Sequence, residues 1–284
     1  LGGIDPVCEG ADPEFCGKNA SMIAAVSQGY WVFYEGPTYR GDHPEYFRWF
    51  ALANADIASK ALTLWKQPRS KPENLGETTV TRRTDKPLVG LYNTRPHLQA
   101  DLEATGLYEV QPLRGMSVEY LRNFAVVILQ NFNVDMAVDH PISRNLRQYV
   151  EEGGAVAFTH DTAWFMDSPF PEVAQRGKPT QKVEAERHVV DTTLVVSAAH
   201  AALPGLSAGQ RFTTEFGDHM IFVPGTAGTT LIRNLFDDPV YVIGGVGKGR
   251  VLFSGCYYGY TGRLQGAEKD AVLGLTAWLA GAGR

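Results

Sequence analysis

Between residues 87 and 161 short apolar runs alternate with amphipathic ones, and this regularity constrains the fold more than any other feature of the chain. "PLVGLYN" (87–93), "YEVQPLR" (108–114), "FAVVILQNF" (124–132) and "AVAFTHD" (155–161) read as strands. "RPHLQADLEATG", "SVEYLRN" and "PISRNLRQYVEEGG" read as the helices between them. The last places Ile142, Leu146, Tyr149 and Val150 on one face and stops at a glycine pair. Strands that are nearly continuous in apolar residues and separated by helices call for a parallel sheet covered on both faces. The expected class is therefore α/β, a flavodoxin-like open parallel sheet with helices on both faces.

Beyond residue 161 the pattern changes. "HVVDTTLVVSAAHAALPGL" and "HMIFVPGTAGTTLIRN" are strand-like runs broken by turns, and "PVYVIGGVGKGRVLFSG" reads as a hairpin turning at "GGVGKG". "AEKDAVLGLTAWLAGA" is an amphipathic helix whose Val272, Leu275 and Leu279 are spaced to pack on the sheet. Upstream, the hydrophilic span "KQPRSKPENLGETTVTRRTDKP" reads as a linker. It divides the chain into residues 1–65, a linker at 66–86 and an α/β domain at 87–284. In the first block "KNASMIAAVSQ" predicts a helix, "GYWVFYEGP" a buried strand and "HPEYFRWFALANADIASKALTLW" a long helix. One strand with two helices closes no core alone, so this block is expected to dock on something larger.

A net charge of −5 offers no broad basic surface of the kind a nucleic-acid backbone requires. No apolar run approaches the roughly 20 residues that span a bilayer, so a soluble chain, cytoplasmic or secreted, is expected. Cys8 and Cys16 lie close in a polar loop and suit either a small disulfide loop or two thiols. No cofactor is expected, and no motif with metal-ligand spacing stands out.

"VGLYN", "FAVVILQNF", "LRQYVEEGGAVAFTHD", "HAALPGL" and "GKGRVLFSG" before "AWLAG" occur in an order that resembles the class I glutamine amidotransferase-like superfamily, in its ThuA-like and β-galactosidase-trimerisation-like branches. In active amidotransferases the resemblance implies a nucleophilic cysteine on the sharp turn after the strand that here reads "AVAF". This chain carries Thr159, His160 and Asp161 there, so no amidotransferase activity is expected. The ThuA-like pattern implies a site from His160, Asp161 and His200, to which Glu215, Asp218 and His219 could be added; Ala201 departs from that pattern's proline. Cys256, in "SGCYYG", is on the wrong element for a nucleophile and reads as a small packed residue.

"SQGYWVFYEGP" with "HPEYFRWFALANADI" resembles the last strand and helix of a glycoside hydrolase-like (β/α)₈ barrel, a TIM-barrel end. That places Glu35 at the carboxyl mouth of the strand, where barrel enzymes build their sites. Glu35 is then either an acid in a sugar cleft, with Trp31, Tyr34 and Tyr39 as aromatic platforms, or the polar end of a buried strand. Glycoside cleavage commonly needs two carboxyl groups, and Asp5, Glu9, Asp12 and Glu14 are candidates for the second. The resemblance implies a carbohydrate ligand, a homo-oligomer, and the C-terminal portion of a glycoside hydrolase-like protein whose α/β domain is noncatalytic. A ThuA-like sugar-metabolism enzyme or a purely structural assembly protein are the alternatives.

Overall fold

The computed structural model describes residues 2–4, 13–33, 44–67, 80–130, 132, 137–165, 167–180 and 189–281. The chain divides into two compact units, Leu1–Gly76 and Glu77–Arg284. Cys8, Tyr34, Glu35 and Tyr39 lie outside the described residues, as do Asp5, Glu9 and Asp12.

In the first unit, strand β1 (Gly2–Ile4) pairs in parallel with β2 (Trp31–Phe33). Helix α1 (Pro13–Val26) connects them, and α2 (Pro44–Ala58) follows. Helix α1 begins five residues before the run expected from the sequence, with Pro13 in its first turn, where a missing N–H costs nothing. Side chains alternate across β2 as its two-residue period demands. Trp31 and Phe33 pack on Phe50 at ring-centroid distances of 4.9 and 4.7 Å, while Val32 points outward. Trp31 also donates to Asn54 Oδ1 at 3.1 Å, so it is built into the unit's packing.

The long helix expected over 43–65 stops at Ala58. Lys60 and Leu62 take left-handed backbone angles, and a short 3₁₀ turn follows at Leu64–Lys66. The cause is Asp56, whose carboxylate accepts from Thr63 N at 3.1 Å and Leu64 N at 3.0 Å and folds the chain back. Ser21 Oγ on α1 donates to the same carboxylate at 2.6 Å.

The second unit is an open nine-stranded mixed sheet. Its parallel half comprises β3 (Leu88–Tyr92), β4 (Glu109–Pro112), β5 (Val126–Gln130), β6 (Ala155–Thr159) and β13 (Gly249–Ser254). Its antiparallel half adds β8 (Thr193–Val196), β9 (Arg211–Thr213), β11 (Thr229–Asn234) and β12 (Pro239–Val246). The spatial order is β4-β3-β5-β6-β13-β12-β11-β8-β9. A separate antiparallel pair joins β7 (Ala174–Arg176) and β10 (Phe222–Pro224). The expected hairpin is present but tighter than "GGVGKG": strand pairing runs to Val246↔Gly249, leaving Gly247 and Lys248 as the turn.

Helices cover both faces. On one side α3 (Pro96–Ala104) and α7 (Gly266–Ala280) bury Leu98, Leu102, Val272, Leu275 and Leu279 against Val89, Val126, Ile128 and Ala157. On the other, α4 (Val118–Leu121) and α5 (Pro141–Glu151) bury Leu121, Leu146, Tyr149 and Val150 against Leu88, Val127, Leu129 and Phe158. Alternate residues of one strand thus serve opposite cores, and each fully buried Leu or Ile contributes about 1.5–3 kcal/mol. Among the described residues no helix is long and apolar enough to cross a membrane.

Candidate functional site

The parallel strands β5, β6 and β13 end together at Gln130, Thr159 and Ser254, the edge where open α/β sheets place ligands. After Thr159 the chain turns sharply at His160, whose φ of 45° is in the left-handed region, and enters the short helix α6 (Asp161–Phe165). Non-glycine residues in that region are strained by about 1–2 kcal/mol. Here the turn is held by His160 N donating to Ser254 O at 2.8 Å and by Thr159 Oγ1 donating to Leu129 O at 3.0 Å.

The His160 side chain points inward and is 1% exposed. Its Nε2 lies 2.7 Å from Asp218 Oδ1, and its Nδ1 lies 3.6 Å from Asp161 Oδ2. Burial disfavours the imidazolium, but the two carboxylates outweigh it and raise the pKa above the ordinary histidine value. The cluster is therefore an enclosed imidazole with a carboxylate on either side, an arrangement that favours its protonated form.

Aromatic rings enclose it. Tyr257 stacks on His160 at 3.8 Å and donates its hydroxyl to Asp161 Oδ2 at 2.9 Å. Tyr260 stacks on Tyr257 at 4.5 Å, and the Arg95 guanidinium lies 4.8 Å from the Tyr260 ring. Phe216 presents its edge to His160, Tyr257 and Tyr260. The loop carrying Phe216 and Asp218 comes this close because Met220 N donates to Gly255 O, where a Cβ on residue 255 would lie 2.0 Å from Met220 O.

His160 and Asp161 are thus brought together, and Asp218 joins them from the loop before β10. His200 engages other groups: its Nδ1 accepts from Ala202 N at 3.0 Å, and its ring lies 6.4 Å from Trp278 of α7. His219 is fully buried. Its Nδ1–H donates to Asp191 O at 2.8 Å, and Asn234 Nδ2 stands 3.2 Å from its Nε2. Burial lowers its pKa, which favours the neutral ring. Glu215 accepts from the Tyr260 and Thr261 N–H groups. Tyr257 and Phe216 were not legible as neighbours of His160; the aromatic pair in "CYYG" was the sole signal, and nothing in it named the partner.

Cys256 is wholly buried, and burial pushes its thiol well above the ordinary range, the opposite of what a nucleophile needs. Among the described residues no three His, Cys, Asp or Glu side chains converge as metal ligands.

The chain matches no protein-family model and no curated protein. Solved structures similar to it include a cytoplasmic protein from Salmonella typhimurium, with 12% identity over 68% of this chain and 98% of that one and a TM-score of 0.49. A ThuA-like protein from Bacteroides uniformis is 14% identical over 71% of this chain and 95% of its own, with a TM-score of 0.46. A β-galactosidase from Bacillus circulans sp. alkalophilus aligns with 94% of this chain and 41% of its own at 11% identity and a TM-score of 0.46.

Proposed function

We propose that the α/β unit is a noncatalytic, amidotransferase-like module of a carbohydrate-active, glycoside hydrolase-like protein, in which it serves assembly of a homo-oligomer. One observation carries the reading. At the turn where an active amidotransferase needs an exposed thiolate, this chain holds His160, enclosed and facing a carboxylate at each ring nitrogen. A group so held cannot attack a substrate without leaving its partners. The first unit supports the barrel-end part of the proposal, because β1 and β2 form a parallel pair joined through α1, the repeating step of a (β/α) barrel.

A ThuA-like sugar-metabolism enzyme is the second reading. It is favoured by Asp161 and Asp218, whose side chains are 14% and 23% exposed beside the His160 imidazole and so reach solvent at the sheet edge.

Light scattering on the purified chain, together with assays on a panel of nitrophenyl glycosides, separates the two. The assembly reading expects a multiple of the chain mass and no turnover that depends on His160. Turnover abolished by His160→Ala in a still-folded protein would move the chemistry to the elbow and establish the second reading. A monomer at tens of micromolar would remove the assembly role.

A further inference from the structure

Glu268 is a buried acid that neither the packing nor the elbow explains. It stands in the first turn of α7 and is 2% exposed. Its Oε2 accepts from Glu215 N at 2.9 Å, whereas Oε1 has no hydrogen-bond partner among the described residues. Glu215 is itself a junction: its carboxylate accepts from Tyr260 N at 3.1 Å, from Thr261 N at 2.7 Å and from the Thr261 hydroxyl. The next residue, Phe216, packs on His160, and Asp218 grips its imidazole. The hydrogen bond from Glu215 N to Glu268 therefore ties the start of α7 to the segment that clamps the elbow.

The groups around Glu268 give its negative charge little support. Tyr241 on β12 and Cys256 and Tyr258 after β13 are held neutral by burial. The Glu215 carboxylate repels it. Arg263 borders the same cavity but binds Asp101 at 2.6 Å, and Lys269 lies 3.3 Å from that same aspartate. The helix start favours an anion by about 0.3–1 kcal/mol, which is too little to offset full burial. Burial first, and the Glu215 carboxylate second, push the Glu268 pKa up to about 7 against the pull of the Glu215 N–H.

We propose that Glu268 is a proton-dependent latch on the Glu215–Asp218 segment: protonated, it stays seated and holds Glu215 N; ionised, it turns to water, releases that N–H and loosens the His160–Asp218 clamp. A cavity of about 460 Å³, lined by Thr213, Thr214, Glu215, Arg263 and Gln265 as well as Glu268, is the space into which the ionised side chain would turn. The sign follows from linkage. The closed segment binds a proton that the open one releases, so the latch is whole below the ordinary carboxylate range and is lost as pH rises through about 7. With the open-state carboxyl at its ordinary value, the opening equilibrium grows about tenfold between pH 6 and 8. His160 acts in the same direction when it loses its own proton, so the two must be separated by substitution.

Amide hydrogen exchange at Glu215, Tyr260 and Thr261 in the whole chain, corrected for intrinsic rates, makes that separation. Between pH 6 and 8, protection in the wild type is expected to fall about tenfold more than in Glu268→Gln, where only the His160 contribution remains. A flat wild-type profile, or an equal fall in the variant, overturns the latch. Should Glu268→Gln fail to fold, carboxyl carbon-13 titration of the wild type replaces it. A Glu268 midpoint near 7 that coincides with a shift of the Glu215 amide supports the proposal, and a midpoint near the ordinary value or an uncoupled amide overturns it. This inference holds whichever reading of the chain's function is correct, since it concerns only the coupling of Glu268 to the elbow.

Discussion

His160 Nε2 and Asp218 Oδ1 stand 2.7 Å apart although their residues are 58 positions apart in the chain. The contact joins the tip of a parallel strand to a loop of the antiparallel half, and it makes the cluster sensitive to pH. Because the folded pKa of His160 is raised, its contribution to stability is whole below the ordinary histidine value and is lost as pH climbs through the raised one.

Asp218→Asn removes one of the two charges holding that proton. The imidazole pKa is expected to fall, and unfolding at pH 6 to become easier by about 1–3 kcal/mol, below the cost for a fully enclosed pair because Asp218 is partly exposed. Urea titrations at pH 6 and 8.5 read the difference, which should shrink at the higher pH. An undiminished cost there would mean that the imidazolium is not what Asp218 stabilises.

Tyr257 supplies a ring and a hydroxyl, and two substitutions separate them. Tyr257→Phe keeps the stack on His160 and loses the bond to Asp161, at a cost of about 1 kcal/mol. Tyr257→Ala also leaves a cavity against Phe216 and Tyr260, at a cost of about 3–5 kcal/mol. Equal effects in thermal unfolding would show that the stack carries no energy.

Asp56 anchors the turn after α2 in the first unit. Its pKa is lowered because the Ser21, Leu64 and Thr63 hydrogen bonds outweigh the burial that opposes them. The stability it contributes is therefore present above the ordinary aspartate value and lost as pH falls through the lowered one. Asp56→Ala should cost about 1–3 kcal/mol. Trp31, Trp49 and Trp65 all belong to this unit, so tryptophan fluorescence during acid titration should show an earlier transition in the variant.

At Gly249 the chain needs a missing side chain: a Cβ there would lie 2.1 Å from Val150 O and 2.2 Å from Gly154 O. Gly249→Ala is expected to lower stability by about 1–3 kcal/mol or more, since two backbone carbonyls would have to move. A melting temperature within a degree of wild type contradicts the packing of α5 against the hairpin.

The parallel half was readable residue by residue. The runs at 87–93, 124–132 and 155–161 became β3, β5 and β6, and Leu146, Tyr149 and Val150 are buried on one helical face as their spacing implied. Reading went astray at Asp56, where a hydrogen bond from Ser21 on α1 and two from Thr63 and Leu64 further along the same run ended a helix whose local pattern ran on to Trp65. It also set the "GGVGKG" turn too wide, because cross-strand pairing carried β12 through to Val246.

Apolar periodicity reflects backbone geometry over a few residues, which is why strands and helix faces could be assigned from spacing alone, whereas the bend at His160 was expected only from the family resemblance. The neighbours of that bend could not be assigned from spacing. Asp218 and Tyr257 arrive from two separate segments. Their meeting depends on strand order, on the closing of long loops and on which buried charge finds a partner, none of which leaves a local repeat in the chain.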